Sequence, residues 1–124
     1  MPITRIALVG HCGFDSGSLS RFASEAAPDA QVVRINDQRA LDEVAGAETL
    51  MLVNRVLDGR FDVGGSGIAL IKAIAGQPDA SPAMLVSNYE DAQREAVAAG
   101  ALPGFGKSDV GNPATKQRIT DAVS

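Results

Sequence analysis

Thr49 to Gly59 reads TLMLVNRVLDG, and within it Leu50, Met51, Leu52 and Val53 follow one another with no polar residue between them. A strand with one wet face alternates apolar and polar residues. Four apolar residues in a row describe a strand covered on both faces, as in the interior of a parallel sheet. The run is therefore read as the central strand, and it stops abruptly at Asn54 and Arg55. In open α/β sheets ligands bind just beyond the carboxyl ends of the strands, which makes Asn54 a candidate functional position. An amide can hydrogen-bond a ligand there, but at neutral pH it is neither a base nor a nucleophile.

The rest of the chain supplies the partners such a strand needs. Ile3 to Val9, Gln31 to Ile35, Ala83 to Val86 and Leu102 to Phe105 read as further strands, the last weakened by Pro103 and Gly104 and so placed at an edge or bulge. Helical spacing joins Leu19, Phe22, Ala23 and Ala26, with Asp15, Ser16 and Ser18 as candidate N-caps. It also joins Leu41, Val44 and Ala45 after Asn36-Asp37, and Ile68, Ile71, Ile74 and Ala75. Ser87 and Glu90 have capping-box spacing before an Ala-rich helix, and Asn112-Pro113 opens the final helix, which carries Ile119, Ala122 and Val123. The resulting βαβαβαβαβα order, with right-handed crossovers, predicts an α/β fold: a five-stranded parallel doubly wound sheet of order 2-1-3-4-5 in a three-layer αβα sandwich.

Composition bounds the function. The 124 residues, 45% of them hydrophobic, suffice for one domain spanning 1–124. Cys12 is the only cysteine and His11 the only histidine, which excludes an internal disulfide and a four-ligand structural zinc site. No apolar run approaches the about 18 residues of a membrane span, and no leader cleavage pattern follows the first hydrophobic stretch, so the expectation is a cytoplasmic protein without membrane contact. The formal net charge is −4, Lys and Arg are scattered, and the aromatics number four Phe and one Tyr. These features argue against nucleic-acid partners.

The predicted order converges five candidate residues on one sheet edge: His11 and Cys12 after the first strand, Asn54, Ser87, and Lys107 after the fifth. The segment MLVSNYEDAQREAVAAGALPGFGKS resembles the receiver domains of bacterial two-component response regulators, in which a Ser or Thr ends strand four, an Ala-Gly-Ala corner ends the next helix, and a Lys ends strand five. Ser87, Gly100-Ala101 and Lys107 match in type and order, and the pattern of elements extends the resemblance over the whole chain. The resemblance implies a flavodoxin-like, receiver-like fold. It also locates the departures: Gly10, His11 and Cys12 stand where receivers hold a divalent cation with acids, and Asn54 stands where they carry the phosphoacceptor aspartate. What it implies is a degenerate pseudo-receiver site made of Gly10, His11, Cys12, Asn54, Ser87 and Lys107, with no catalytic residue, metal or cofactor. On the same reading Asn54→Asp alone does not restore phosphorylation, whereas acids at 10, 11 and 54 together would rebuild the site.

Three function classes follow. The leading expectation is a phosphorylation-independent signalling and protein-interaction module, not an enzyme, binding a protein partner or a second copy through the face of helix four, strand five and helix five. The alternatives are a small-molecule or anion binder at the switch point and an enzyme using His11 and Cys12. A flavin is disfavoured because no Ser/Thr-rich phosphate loop follows the first strand, and Val9 and Phe14 break a cobalamin signature around His11. The glycine-rich stretch Asp58 to Gly67 lacks a phosphate-loop ending and is expected to be a flexible loop.

Overall fold

A computed structural model describes residues 3–124. Its strands are β1 (Arg5–Val9), β2 (Gln31–Ile35), β3 (Thr49–Asn54), β4 (Ala83–Val86) and β5 (Leu102–Phe105). Its helices are α1 (Gly13–Ala26), α2 (Gln38–Val44), α3 (Gly67–Ala75), α4 (Glu90–Ala98) and α5 (Pro113–Val123), with a short 3₁₀ turn at Lys107–Asp109. The sheet is parallel, in the order β2-β1-β3-β4-β5. This is the expected doubly wound arrangement, and β3 is its central strand, buried at every residue.

Strand periodicity divides the core in two, because successive side chains leave a strand on opposite faces. Ala7, Val9, Met51, Val53 and Leu85 pack on one side against Leu41 of α2, Leu70, Ile71 and Ile74 of α3, and Ala92 and Ala96 of α4. Ile6, Leu8, Leu50, Leu52, Met84 and Val86 pack on the other against Leu19, Phe22 and Ala23 of α1 and Ile119 of α5. Continuous apolar runs are needed in β1, β3 and β4 for this reason: every residue meets a helix layer.

Helix starts depart from expectation in two places. Asp15, Ser16 and Ser18 lie inside α1, and the cap is Cys12, whose extended backbone lets its sulfur accept the Asp15 N–H at 3.5 Å. Ser87 does not cap α4. It still belongs to the sheet end, donating its N–H to Phe105 O, and its hydroxyl instead accepts the N–H of Tyr89, which precedes the first turn. Lys107 likewise stands beyond β5, in the 3₁₀ turn.

β5 is the expected edge strand, its register against β4 shifting between Met84 and Val86. The Gln93 side chain of α4 spans this irregularity: its Nε2 donates to Leu85 O, Ser87 O and Phe105 O at 2.9, 3.1 and 3.2 Å. Three carbonyls at the irregularity thereby share one side-chain amide of α4, Phe105 O in addition to the Ser87 N–H it already accepts. On the far side, Arg118 of α5 donates to Gly104 O.

The glycine-rich loop between β3 and α3 is not the loosely held segment its composition suggests. Leu57 and Phe61 anchor it in the core. Its backbone is bonded to three neighbours: Asp58 N–H to Gly10 O (2.8 Å), Arg60 N–H to Asn36 O (3.0 Å) and Gly67 N–H to Arg55 O (2.8 Å). Glycine at 67 is required by proximity, since a Cβ there would lie 1.9 Å from Asn54 O.

Candidate functional site

The carboxyl edge of the sheet brings the predicted residues into one region but assigns them different tasks. Asn54 ends β3 with its side chain turned inward. Nδ2 donates to Gly10 O at 3.1 Å and to Val56 O at 2.8 Å, tying the β1 end to the β3–α3 loop. Both amide hydrogens are committed to carbonyl oxygens, which is a geometry that only an amide, and no carboxylate, can satisfy.

His11 is fully buried, 0% exposed, and its Nε2 lies 2.8 Å from Leu52 O. A carbonyl can only accept, so Nε2 carries the proton and Nδ1 is the unprotonated nitrogen. Nδ1 has no partner among the described residues. Burial pushes the imidazole pKa below its ordinary value; the bond to Leu52 O opposes that, and the positive charge of Lys107 adds to it. The ring is neutral at pH 7.

Cys12 points elsewhere. Its thiol is exposed at the start of α1, so the histidine and cysteine do not form a nucleophile–base pair. Lys107 donates to Asp15 Oδ2 at 2.9 Å, and this contact holds the Asp15 carboxyl below the usual carboxylate range. Ser87 is buried and Phe14, on the first turn of α1, is 87% exposed.

Two residues that the sequence offers only as candidates near helix starts, Asp15 and Asn36, complete the region. Asp15 is the partner of Lys107, a pairing of residues 92 positions apart for which the chain offered only charge type. Asn36 donates from Nδ2 to His11 O at 3.1 Å and to Asp58 O at 2.8 Å. With Asn54 it makes the backbone of Gly10 and His11 a hub joining the ends of β1, β2 and β3. Across the β3 and β4 ends, the Arg55 guanidinium stacks 4.7 Å from the Tyr89 ring centroid.

The donor set does not fit a divalent cation. Positions 10 and 11 offer a glycine and a histidine already bonded to Leu52 O, Asn54 spends its amide on two carbonyls, and Asp15 is paired with Lys107. Rebuilding the site with acids at 10, 11 and 54 conflicts with the geometry as well. Gly10 has φ +73°, a Cβ there would lie 2.6 Å from Leu57 Cδ2, and an acid at position 11 would enter a dry site.

No protein-family model matches the chain, and no curated protein does. Solved structures do. The signal receiver domain of a DNA-binding response regulator (merR) from Colwellia psychrerythraea 34H superposes with TM-score 0.70 at 18% identity, covering 96% of each chain. A response regulator receiver domain from Rhodospirillum rubrum gives 0.67 at 16% identity, over 94% of this chain and 89% of that one. The receiver domain of a signal transduction histidine kinase from Syntrophus aciditrophicus gives 0.67 at 19% identity, over 98% and 92%. At these identities the likeness is one of architecture, and the chain has the flavodoxin-like fold of response-regulator receiver domains.

Proposed function

We propose that this protein is a response-regulator-type signalling module that acts by protein interaction without phosphorylation. One observation carries the reading: the Asn54 side chain, at the end of the central strand, donates both its hydrogens inward to Gly10 O and Val56 O. The position that would receive a phosphoryl group is thus a structural tie. Phosphoryl transfer to a carboxylate needs that carboxylate in line with the donor and a cation on the phosphoryl oxygens; the residues present supply neither. The small-molecule and anion reading gains no support from Lys107, which is paired with Asp15. The enzyme reading gains none from His11, which is buried away from the Cys12 thiol.

The test is intact-mass measurement after incubation with acetyl phosphate and Mg²⁺. The expected spectrum is unchanged. A stoichiometric adduct of about 80 Da, labile to hydroxylamine as an acyl phosphate is, would overturn the reading.

The interaction face is assigned to α4, β5 and α5. Val97 on α4 and Leu102 on β5 are exposed at 47% and 39%. The alanines of α4 contribute differently from what their number suggests, since Ala92 and Ala96 face the core. A charge at position 96 would disrupt folding, whereas Val97→Glu and Leu102→Glu leave the core untouched. If the partner is a second copy, sedimentation at about 100 µM shows a dimer that the double substitution converts to monomer. A strictly monomeric parent protein rules out the homodimer.

A further inference from the structure

Apolar burial holds α4 to the sheet only weakly. Ala92 and Ala96 are the residues of α4 that are buried, whereas α3, its neighbour on the same face, buries Leu70, Ile71 and Ile74. Stabilisation by burial scales with the apolar area removed from water, and a methyl side chain removes little. The start of α4 is weakly fixed as well, since Tyr89 at its N-cap makes no side-chain capping bond. A helix seated on two methyl groups slides or tilts at small cost unless a polar contact fixes it.

Gln93 makes that contact. Its Nε2 lies within hydrogen-bond distance of Leu85 O in β4, Ser87 O just beyond it and Phe105 O at the end of β5, so two amide hydrogens serve three carbonyls on three segments. The other end of the amide gains nothing. Oε1 is buried and has no donor among the described residues, which costs free energy. Exchanging the two ends would set the oxygen against the three carbonyls, so the surroundings settle the orientation. The side chain is placed for what Nε2 reaches. Its room comes from position 104, where a Cβ would press on Leu85 O and lie 2.7 Å from Oε1, so that glycine there lets β5 pass the amide. Arg118 of α5 donates to Gly104 O from the opposite face, and the edge strand is clasped between α4 and α5.

We propose that Gln93 is a positioning residue that locks α4 to the ends of β4 and β5, so that the α4–β5–α5 face is permanently formed and needs no signal to assemble it. The inference deepens the reading of that face as the interaction surface and rests on it. It supplies what interaction without phosphorylation requires: a surface whose shape is set in the free protein, so that binding carries no cost of ordering it. The edge strand does not fix the face by itself, because Pro103 lacks an N–H and the register against β4 shifts beside it.

The experiment compares the ¹⁵N-labelled parent protein with Gln93→Met, which keeps the length of the side chain and removes the donor. The parent is expected to give one set of amide signals for α4 and β5, without millisecond relaxation dispersion. In Gln93→Met, doubled signals or dispersion should appear at Ser87, Val97, Leu102 and Phe105. The amides of Ser87 and position 93 should exchange at least about tenfold faster, while Ile6–Val9 and Leu50–Val53 keep their protection. Gln93→Glu separates the hydrogen bonds from packing, because its carboxyl donates only when protonated. Its α4 and β5 should match the parent more closely at pH 4.5 than at pH 7.5, with parent spectra at each pH removing the contributions of Glu90, Asp91 and Glu95 on α4. If Gln93→Met fails to fold, this pH contrast decides alone. Dispersion throughout α4 and β5 in the parent, a Gln93→Met protein indistinguishable from it, protection lost evenly over the sheet, or a Gln93→Glu defect that ignores pH would overturn the proposal. None of these readouts involves a partner or a phosphodonor, so their failure is distinct from failure of the mass and sedimentation tests.

Discussion

Asn54→Asp, the substitution that formally restores a phosphoacceptor, is expected to destabilise the protein by about 2–4 kcal/mol at pH 7.5. Asn54 is 8% exposed, and its two donated hydrogen bonds end on Gly10 O and Val56 O. A carboxylate is isosteric but cannot donate. It would place a negative charge against two carbonyl oxygens, taking the side-chain donor from Val56 O and leaving Gly10 O with the Asp58 N–H alone. The new group resists ionisation in the folded state, so its folded pKa lies above the unfolded one. The variant's deficit is then smallest below the unfolded carboxyl pKa and grows as pH rises through the folded value. Urea unfolding of parent and variant at pH 4.5 and 7.5 measures this. A variant as stable as the parent at pH 7.5, or a deficit that ignores pH, would sink the account of Asn54 as a structural tie.

The second large effect belongs to His11. Removing the ring by His11→Ala is expected to cost about 2–4 kcal/mol, from a cavity at a fully buried position and a Leu52 carbonyl left without its donor. The pH dependence is sharper still as a test. The folded-state pKa is lowered from 6.5, so the unfolded chain binds the proton first. The stability due to neutral His11 is complete above pH 6.5 and is lost as pH falls through 6.5 toward the folded value. The charges nearest the ring are Lys107, which reinforces the shift, and Asp15, which opposes it. Asp15 itself titrates in a lower window, contributing stability above 3.8 that is lost as pH falls through its depressed folded value. As the chain has one histidine, a stability slope just below pH 6.5 reports His11. His11→Gln retains an N–H donor for Leu52 O and nothing that titrates, so it should flatten the slope. An unchanged slope in that variant would refute the assignment.

The backbone of Gly10 and His11 is also where the ends of three strands are tied together. Gly10 O receives Asn54 and Asp58, and His11 O receives Asn36. A shift of this two-residue segment reaches the ends of β2 and β3 through hydrogen bonds already in place.

What the sequence determined by itself was the architecture and its edge. The uninterrupted Leu50–Val53 run required helices on both sides of β3, and Pro103 with Gly104 marked β5 as an edge, because burial pattern and missing donors act through near neighbours in the chain. The type and order of Ser87, Gly100-Ala101 and Lys107 carried the likeness to receivers. What each edge residue does was decided only by tertiary structure. Two neighbours in sequence, His11 and Cys12, part company because one side chain enters the core and the other caps a helix. Lys107 finds Asp15 across 92 positions, and Gln93 meets three carbonyls beside a register shift. Hydrogen-bond partners and fields depend on separation in space, and spacing along the chain specifies that only within a single helix or strand.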